Sequence, residues 1–387
     1  MNHNHANFQA RLDFIRNLLL ERFGADASTE AKIDPIQYDP DSPFKYNNFV
    51  YRITLPSPPS AAGNNNSHEP RQPGTTPLPA DSKAFIMRLT NPDAEGMHAH
   101  ARVENEVAVI SLAAAALSGF KPHVIPSVRC CPEHQLANYL IAWLSGKRKA
   151  SLPRSEILKA LQDFQLPSSI EQYGGVTFDG AGQIVSTAMT SVGSGPWHLY
   201  EDCFRDRLER ALRQADVNPY IRGWHANGVR KRLEAFVESG VPAQFKALES
   251  RDDKTIFHAD FTPDNLLYDA STQRITALID YDFACILHPS YEFLRSFSGA
   301  GGQFQAGRIS NPMAKMWEEE LERLDVWRPR TMGGISTVAD VDAVLRCILP
   351  WRVTNSDVLR MQSEAVIRKC RDENEAQLVG LLRHLGF

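Results

Sequence analysis

Apolar positions at helical spacing open the chain, where Leu12, Ile15, Leu18, Leu19 and Phe23 predict an amphipathic helix over 11–23. The period then shortens. Residues 31–38 form a short strand-like piece, and 46–55 (YNNFVYRITL) alternates and is rich in aromatic and β-branched side chains. The turn-forming DPDSP at 39–43 lies between them, so the simplest reading is a β-hairpin. Residues 56–83 hold seven prolines, the triplet Asn64 to Asn66 and no aromatic residue. Such a stretch lacks the material for a core and is expected to be a flexible, solvated insertion. Strand character resumes at 84–89 (AFIMRL), an alanine-rich helical pattern covers 103–117, and 138–144 (NYLIAWL) is a further strand candidate.

Beyond the polar SGKRKASLPRS the pattern becomes predominantly helical, over 154–165, 200–216, 227–238, 312–324, 338–349 and 358–385. The change in pattern predicts two domains, 1–143 and 144–387, the second mostly α. Two strand-like pieces interrupt it, at 255–257 and 275–279. No internal repeat or heptad run is present.

Composition narrows the function classes. With 42 basic and 46 acidic residues the formal charge is −4, which provides no basic field for neutralising phosphates, so nucleic acid is an improbable partner. The most apolar continuous stretch, 107–117, is too short to span a bilayer, and the polar opening MNHNHANF does not have the layout of a secretory signal. Six cysteines without CxxC spacing are expected to be reduced thiols in a cytoplasmic protein.

The most informative stretch is TIFHADFTPDNLLYDASTQRITALIDYDFA. It places Asp260 in a turn after an apolar strand, Asn265 five residues later, and Asp280 at the end of the next apolar strand. Phosphoryl transfer from ATP needs a carboxylate to orient and deprotonate the accepting hydroxyl, and oxygen ligands to hold Mg²⁺ on the phosphates. A hairpin-like arrangement of the two strands would converge these groups, with Asp260 as base and Asn265 and Asp280 as metal ligands. The D-x-x-x-x-N spacing matches the kinase catalytic loop, and the later aspartate matches the second magnesium-binding element. The competing reading makes these residues polar turn formers, and Asp264, next to Pro263, fits that reading better. Asp282 is a candidate secondary contact to the metal, and His258 a buried organiser of the loop.

On HADFTPDNLLYD and ALIDYDFACILHPSYEFLRSF the sequence resembles the aminoglycoside phosphotransferase and choline-kinase superfamily, most nearly its fungal phosphotransferase branch. Ala259 stands where that family typically has Gly, and Tyr281 where it often has Trp. The resemblance runs from about Phe44 to the last helices. It implies an α+β, bilobal protein-kinase-like fold with a small antiparallel-sheet N-lobe, a larger mainly helical C-lobe, and ATP between them. It further implies a basic residue on the third strand, Arg88, contacting the phosphates, and a helical partner for it, Glu106, with Glu104 the fallback. It assigns the loop residue Asn48, and Ala142 and Leu144 at the end of the 138–144 strand, to nucleotide binding. The loop candidate 45–48 contains no glycine, and Arg88 stands where many relatives have Lys.

Together these features point to an ATP- and Mg²⁺-dependent phosphotransferase acting on a hydroxyl of a small molecule. Only eleven residues separate Asp280 from Glu292, which leaves no room for the long activation segment of a protein kinase. A nucleotide-binding module without catalysis stays open as the alternative, and a metal-dependent hydrolase built on His258, Asp260 and Asp264 is a third.

Overall fold

The computed structural model describes residues 3–36, 38–39, 41–58, 72–76, 82–119, 127–128, 138–142, 154–269, 274–296 and 312–387. Its elements run α1 (Phe8–Phe23), α2 (Ala25–Glu30), β1 (Lys32–Ile36), β2 (Asn48–Thr54), β3 (Ala84–Thr90), α3 (Ala99–Ala116), β4 (Ser127–Val128) and β5 (Asn138–Ala142). Then follow α4 (Arg154–Asp163), β6 (Gly175–Phe178), β7 (Ile184–Thr187), α5 (Tyr200–Val217), α6 (Val229–Ala235), α7 (Val241–Phe245) and β8 (Thr255–Phe257). The order closes with β9 (Leu266–Asp269), β10 (Arg274–Leu278), β11 (Cys285–Leu287), α8 (Ser290–Arg295), α9 (Pro312–Arg323), α10 (Ile335–Ile348), α11 (Trp351–Thr354), α12 (Ser356–Met361) and α13 (Glu364–His384).

The chain divides into two compact units, and the division takes more than one cut. The first gathers Met1–Ala150, Thr177–Val185 and Leu266–Asp282, and the second holds Ser151–Val176, Ser186–Asn265 and Phe283–Phe387. In the first, five antiparallel strands stand in the order β1-β2-β3-β5-β4. The hairpin expected around DPDSP is the β1–β2 pair, with Lys32 opposite Thr54. Alternation puts Phe49, Tyr51 and Ile53 of β2 and Phe85, Met87 and Leu89 of β3 on one face, where they bury against Ile15, Leu18 and Leu19 of α1. Arg11 closes this core, its Nε donating to the Tyr51 hydroxyl at 3.0 Å and its guanidinium lying 3.7 Å from the centre of the Phe49 ring.

Part of the proline-rich insertion is not solvated. Thr75 is buried, and Gly74 adopts φ 72° so close to Phe178, Val107 and Ser111 that a Cβ would lie 2.5 Å from the Phe178 ring. Glycine therefore suits this contact, in conformation and in size.

The second unit is built on helices. In α5 the buried residues Tyr200, Cys203, Phe204, Leu208, Ala211, Leu212 and Ala215 follow one helical face, and Glu201 and Asp202 sit favourably at its N-terminal end. That face joins a core with Trp224, Phe236, Phe245, Val341, Val344, Leu378 and Leu382. Two expected helices are interrupted. The 227–238 pattern continues as a π-helical turn, Phe236–Gly240, into α7, which carries Pro242 in its first turn. The 358–385 pattern breaks at Gln362, which is extended, so α12 and α13 are separate.

The strands around the motif pair differently from the expected hairpin. β10 pairs with β9, the segment LLYD that sequence patterning passes over, and β8 pairs with β11. Two separate antiparallel ladders therefore carry the two halves of the motif. A four-residue strand directly after a catalytic-type loop is too short to show a periodicity of its own.

Candidate active site

In the first unit Arg88 is the centre of a carboxylate cluster. β3 holds it opposite Val50 of β2 and Tyr139 of β5. The alternation that turns Met87 and Leu89 toward α1 turns Arg88 to the other face, where it is nonetheless buried. Its Nη1 donates to Glu106 Oε1 at 2.7 Å and its Nη2 to Asp280 Oδ1 at 2.8 Å, with Asp282 Oδ1 3.2 Å away. Glu106 is thus the helical partner of Arg88, and Glu104 instead accepts from the Thr177 hydroxyl at 2.9 Å.

Asp282 is held more tightly than Asp280. Arg102 Nη2 donates to its Oδ2 at 2.6 Å, and Asn48 Nδ2 donates to the same oxygen at 2.7 Å. Burial alone would push this carboxyl up, but the guanidinium groups of Arg88 and Arg102 and the Asn48 amide outweigh it, leaving Asp282 below the ordinary Asp value. Asp280, by contrast, is partly exposed, with 40% of its side chain accessible, and sits at φ 69°. Its second oxygen has no partner among the described residues. The oxygens of Glu106, Asp280 and Asp282 lie within 4.8 Å of one another, so without Arg88 three negative charges would face each other.

In the second unit the HAD turn leaves β8 with its backbone pinned from below. The N–H groups of His258 and Ala259 donate to the two carboxylate oxygens of Glu292, at 2.9 and 3.0 Å, and the Phe261 N–H donates to Ser296 Oγ at 2.8 Å. Ser296 in turn bonds Glu292. Ala259 adopts φ 61°, a left-handed conformation that glycine enters at less cost than alanine. Asn265 Nδ2 donates to both the backbone oxygen and Oδ2 of Asp260, at 2.8 and 2.9 Å, which fixes the rotamer of that carboxylate. The Asn265 amide oxygen has no protein partner among the described residues. Asp264 is exposed in the short 3₁₀ turn Pro263–Asn265, and His258 is fully buried.

Mg²⁺ takes hard oxygen ligands. Asp280 in the first unit and Asn265 in the second each retain one oxygen of that kind. Ala142 ends β5, and Leu144 lies outside the described residues. Asn48 spends both ends of its amide inside the first unit, donating to Asp282 and accepting from Arg102 Nη2 at 3.0 Å.

Two side chains that hold these clusters together escaped the sequence reading. Glu292 lies between Tyr291 and Phe293, and a lone acid among buried aromatic residues is a signal that it has buried donors to satisfy. Burial pushes its carboxyl up to about 7, against the lowering effect of Ser296 and the two backbone N–H groups, and the charge of Asp260 pushes it the same way as burial. Arg102 is four residues before Glu106, on the same helical face, and that spacing was its signal.

A five-stranded antiparallel unit carrying a buried Arg–Glu pair, and a helical unit carrying a D-x-x-x-x-N loop, give the chain an α+β, protein-kinase-like fold. Residues 79–327, well over half of the chain, match the model of the phosphotransferase enzyme family (APH), and the chain belongs to that family. No curated protein matches it. Among solved structures it resembles a protein of Ralstonia eutropha provisionally named an aminoglycoside phosphotransferase, at 13% identity over 96% of this chain and 98% of that one, with a TM-score of 0.49. It also resembles an ethanolamine kinase of Plasmodium vivax, at 9% identity over 97% and 89%, with a TM-score of 0.48. A third likeness is to an aminoglycoside phosphotransferase from Streptomyces rimosus in complex with ADP and streptomycin, at 14% identity over 87% and 98%, with a TM-score of 0.41. At such identity these likenesses say nothing of this chain's substrate. No described helix is long and apolar enough to cross a membrane.

Proposed function

We propose that the protein is an ATP- and Mg²⁺-dependent phosphotransferase that moves the γ-phosphate to a hydroxyl of a small molecule. The observation that carries this reading is the buried Arg88–Glu106 pair at 2.7 Å, the arrangement by which kinase-like enzymes hold a basic strand residue ready for the phosphates. Family membership supports ATP as the donor.

In this reading Asp260 accepts the proton of the attacking hydroxyl, and Asn265 keeps the Asp260 carboxylate aimed while offering its own amide oxygen to Mg²⁺. Asp280 supplies the other metal oxygen. When bound, the ion neutralises charge on the transferring phosphoryl group. Arg88 exchanges part of its carboxylate contact for phosphate, for which its planar fork of donors is suited.

The test is ADP release by the purified protein with ATP and Mg²⁺ across hydroxyl-bearing metabolites, amino alcohols and aminoglycosides. An acceptor that raises ADP release and itself gains phosphate is the expected result. ATP binding with no transfer to any acceptor in a broad screen would favour the non-catalytic nucleotide-binding module.

A further inference from the structure

The segment Phe44 to Asn48 raises a physical question. A loop that covers phosphates usually relies on glycine, whose backbone enters the left-handed region and approaches a ligand without a side chain in the way. This segment has no glycine, and none of its residues has a positive φ.

Its shape is imposed from outside. Asn4 Nδ2 donates to the Phe44 oxygen at 2.8 Å, and Asn4 Oδ1 accepts from the Tyr46 N–H at 2.9 Å. Asn91 Nδ2 donates to the Tyr46 oxygen at 2.7 Å. The Asn47 oxygen accepts from Arg102 Nη1 at 2.9 Å and from the Asn91 N–H at 3.0 Å. The peptide planes on both sides of Asn47 are therefore held through their carbonyls. The Asn47 N–H itself has no acceptor among the described residues.

Arg102 does the largest share of this holding. It is 1% exposed, and its fork joins three groups: the Asn47 oxygen, the Asn48 side-chain oxygen at 3.0 Å, and the Asp282 carboxylate at 2.6 Å. Stability alone is a poor account of such a residue, because a buried ion pair is often no better than a well-packed apolar pair of similar size. Lysine could keep the charge beside Asp282 but could not reach three partners in one plane.

We propose that Arg102 is a positioning residue for nucleotide binding, which fixes the 44–48 segment against Asp282 so that the Asn47 N–H is presented to a phosphate oxygen of the nucleotide. The proposal rests on the nucleotide reading above, and goes further by naming what replaces glycine in this loop. Preorganisation of a backbone donor acts on phosphate contacts and leaves contacts to the nucleoside alone.

The experiment is calorimetric titration of wild type, Arg102→Lys and Arg102→Met with ATP, ADP and adenosine, with melting temperatures recorded for each. Both variants should bind ATP and ADP about tenfold more weakly, a loss of about 1.4 kcal/mol, and adenosine within about twofold of wild type. Arg102→Lys keeps Asp282 paired, so it tests the role even if Arg102→Met does not fold. Equal losses for ATP and adenosine would show mere structural support and overturn the proposal, as would unchanged ATP affinity in folded variants. Wild type binding neither ligand overturns the nucleotide reading and this proposal with it. The phosphate-selective loss in a protein that transfers phosphate to nothing supports the role of Arg102 and overturns only the transferase reading.

Discussion

The backbone N–H of Ala259 donates to Glu292 Oε1 at 3.0 Å across 33 positions of sequence, and it does so from a left-handed residue. A fully buried carboxylate thus sets the direction in which the turn before Asp260 leaves β8. The aim of Asp260 depends on a residue of α8 as well as on Asn265.

Replacing Asp260 by Asn keeps its size and most of its hydrogen bonding but removes the proton acceptor. The transfer rate should fall by about 10²- to 10⁴-fold, the range typical of losing a general base, with ATP affinity within a few-fold of wild type. Steady-state kinetics with the identified acceptor and a binding titration check the two halves. Full turnover in this variant would remove Asp260 from the reaction.

The ionisation of Glu292 should be visible in stability. Its folded value, about 7, lies above the ordinary Glu value, so the folded state binds the proton more tightly than the unfolded chain. The stability it contributes is complete below the ordinary value and is lost as pH rises toward about 7. Relative to Glu292→Gln, wild type should therefore lose melting temperature as pH rises from about 4.5 to about 7. A pH-independent difference between the two proteins would contradict this.

Ala259→Gly should be neutral to stabilising. A left-handed alanine costs roughly 1–2 kcal/mol, against roughly 0.5–1 kcal/mol for the greater freedom of glycine in the unfolded chain. Urea denaturation should show a gain of up to about 1 kcal/mol with activity retained. A clear loss would mean that the Ala259 methyl, which is buried, contributes packing of its own.

Arg88→Ala should be among the most damaging substitutions in the first unit. It leaves Glu106 and Asp280 without their guanidinium partner, and breaking a buried pair from one side costs about 3–5 kcal/mol. Arg88→Lys should lose less, since an ammonium can still pair with Glu106 but cannot bridge the carboxylates as a fork does. Denaturation midpoints and ATP affinity should rank wild type, then Lys, then Ala. The same midpoint in all three would show the cluster to be solvated.

The sequence by itself determined the local elements and the position of the D-x-x-x-x-N loop. Alternation in YNNFVYRITL and AFIMRL placed β2 and β3, heptad-free helical spacing placed α1 and α5, and the D-x-x-x-x-N spacing brought Asn265 onto Asp260, since all of these depend on neighbours a few residues away. Arg88 and Glu106 were legible as a pair through the family resemblance, which implies a basic residue on the third strand and a helical partner for it.

Tertiary structure decided which strands pair and which polar residues are captured. β9 and β11 are too short to announce themselves, and their pairing with β10 and β8 depends on partners that local periodicity does not encode. Glu292, Arg102 and Asp282 acquire their roles from burial, because a charged group removed from water must find donors or a countercharge wherever the fold supplies them. The same holds for the loop at 44–48, whose conformation comes from Asn4, Asn91 and Arg102 rather than from glycine within it.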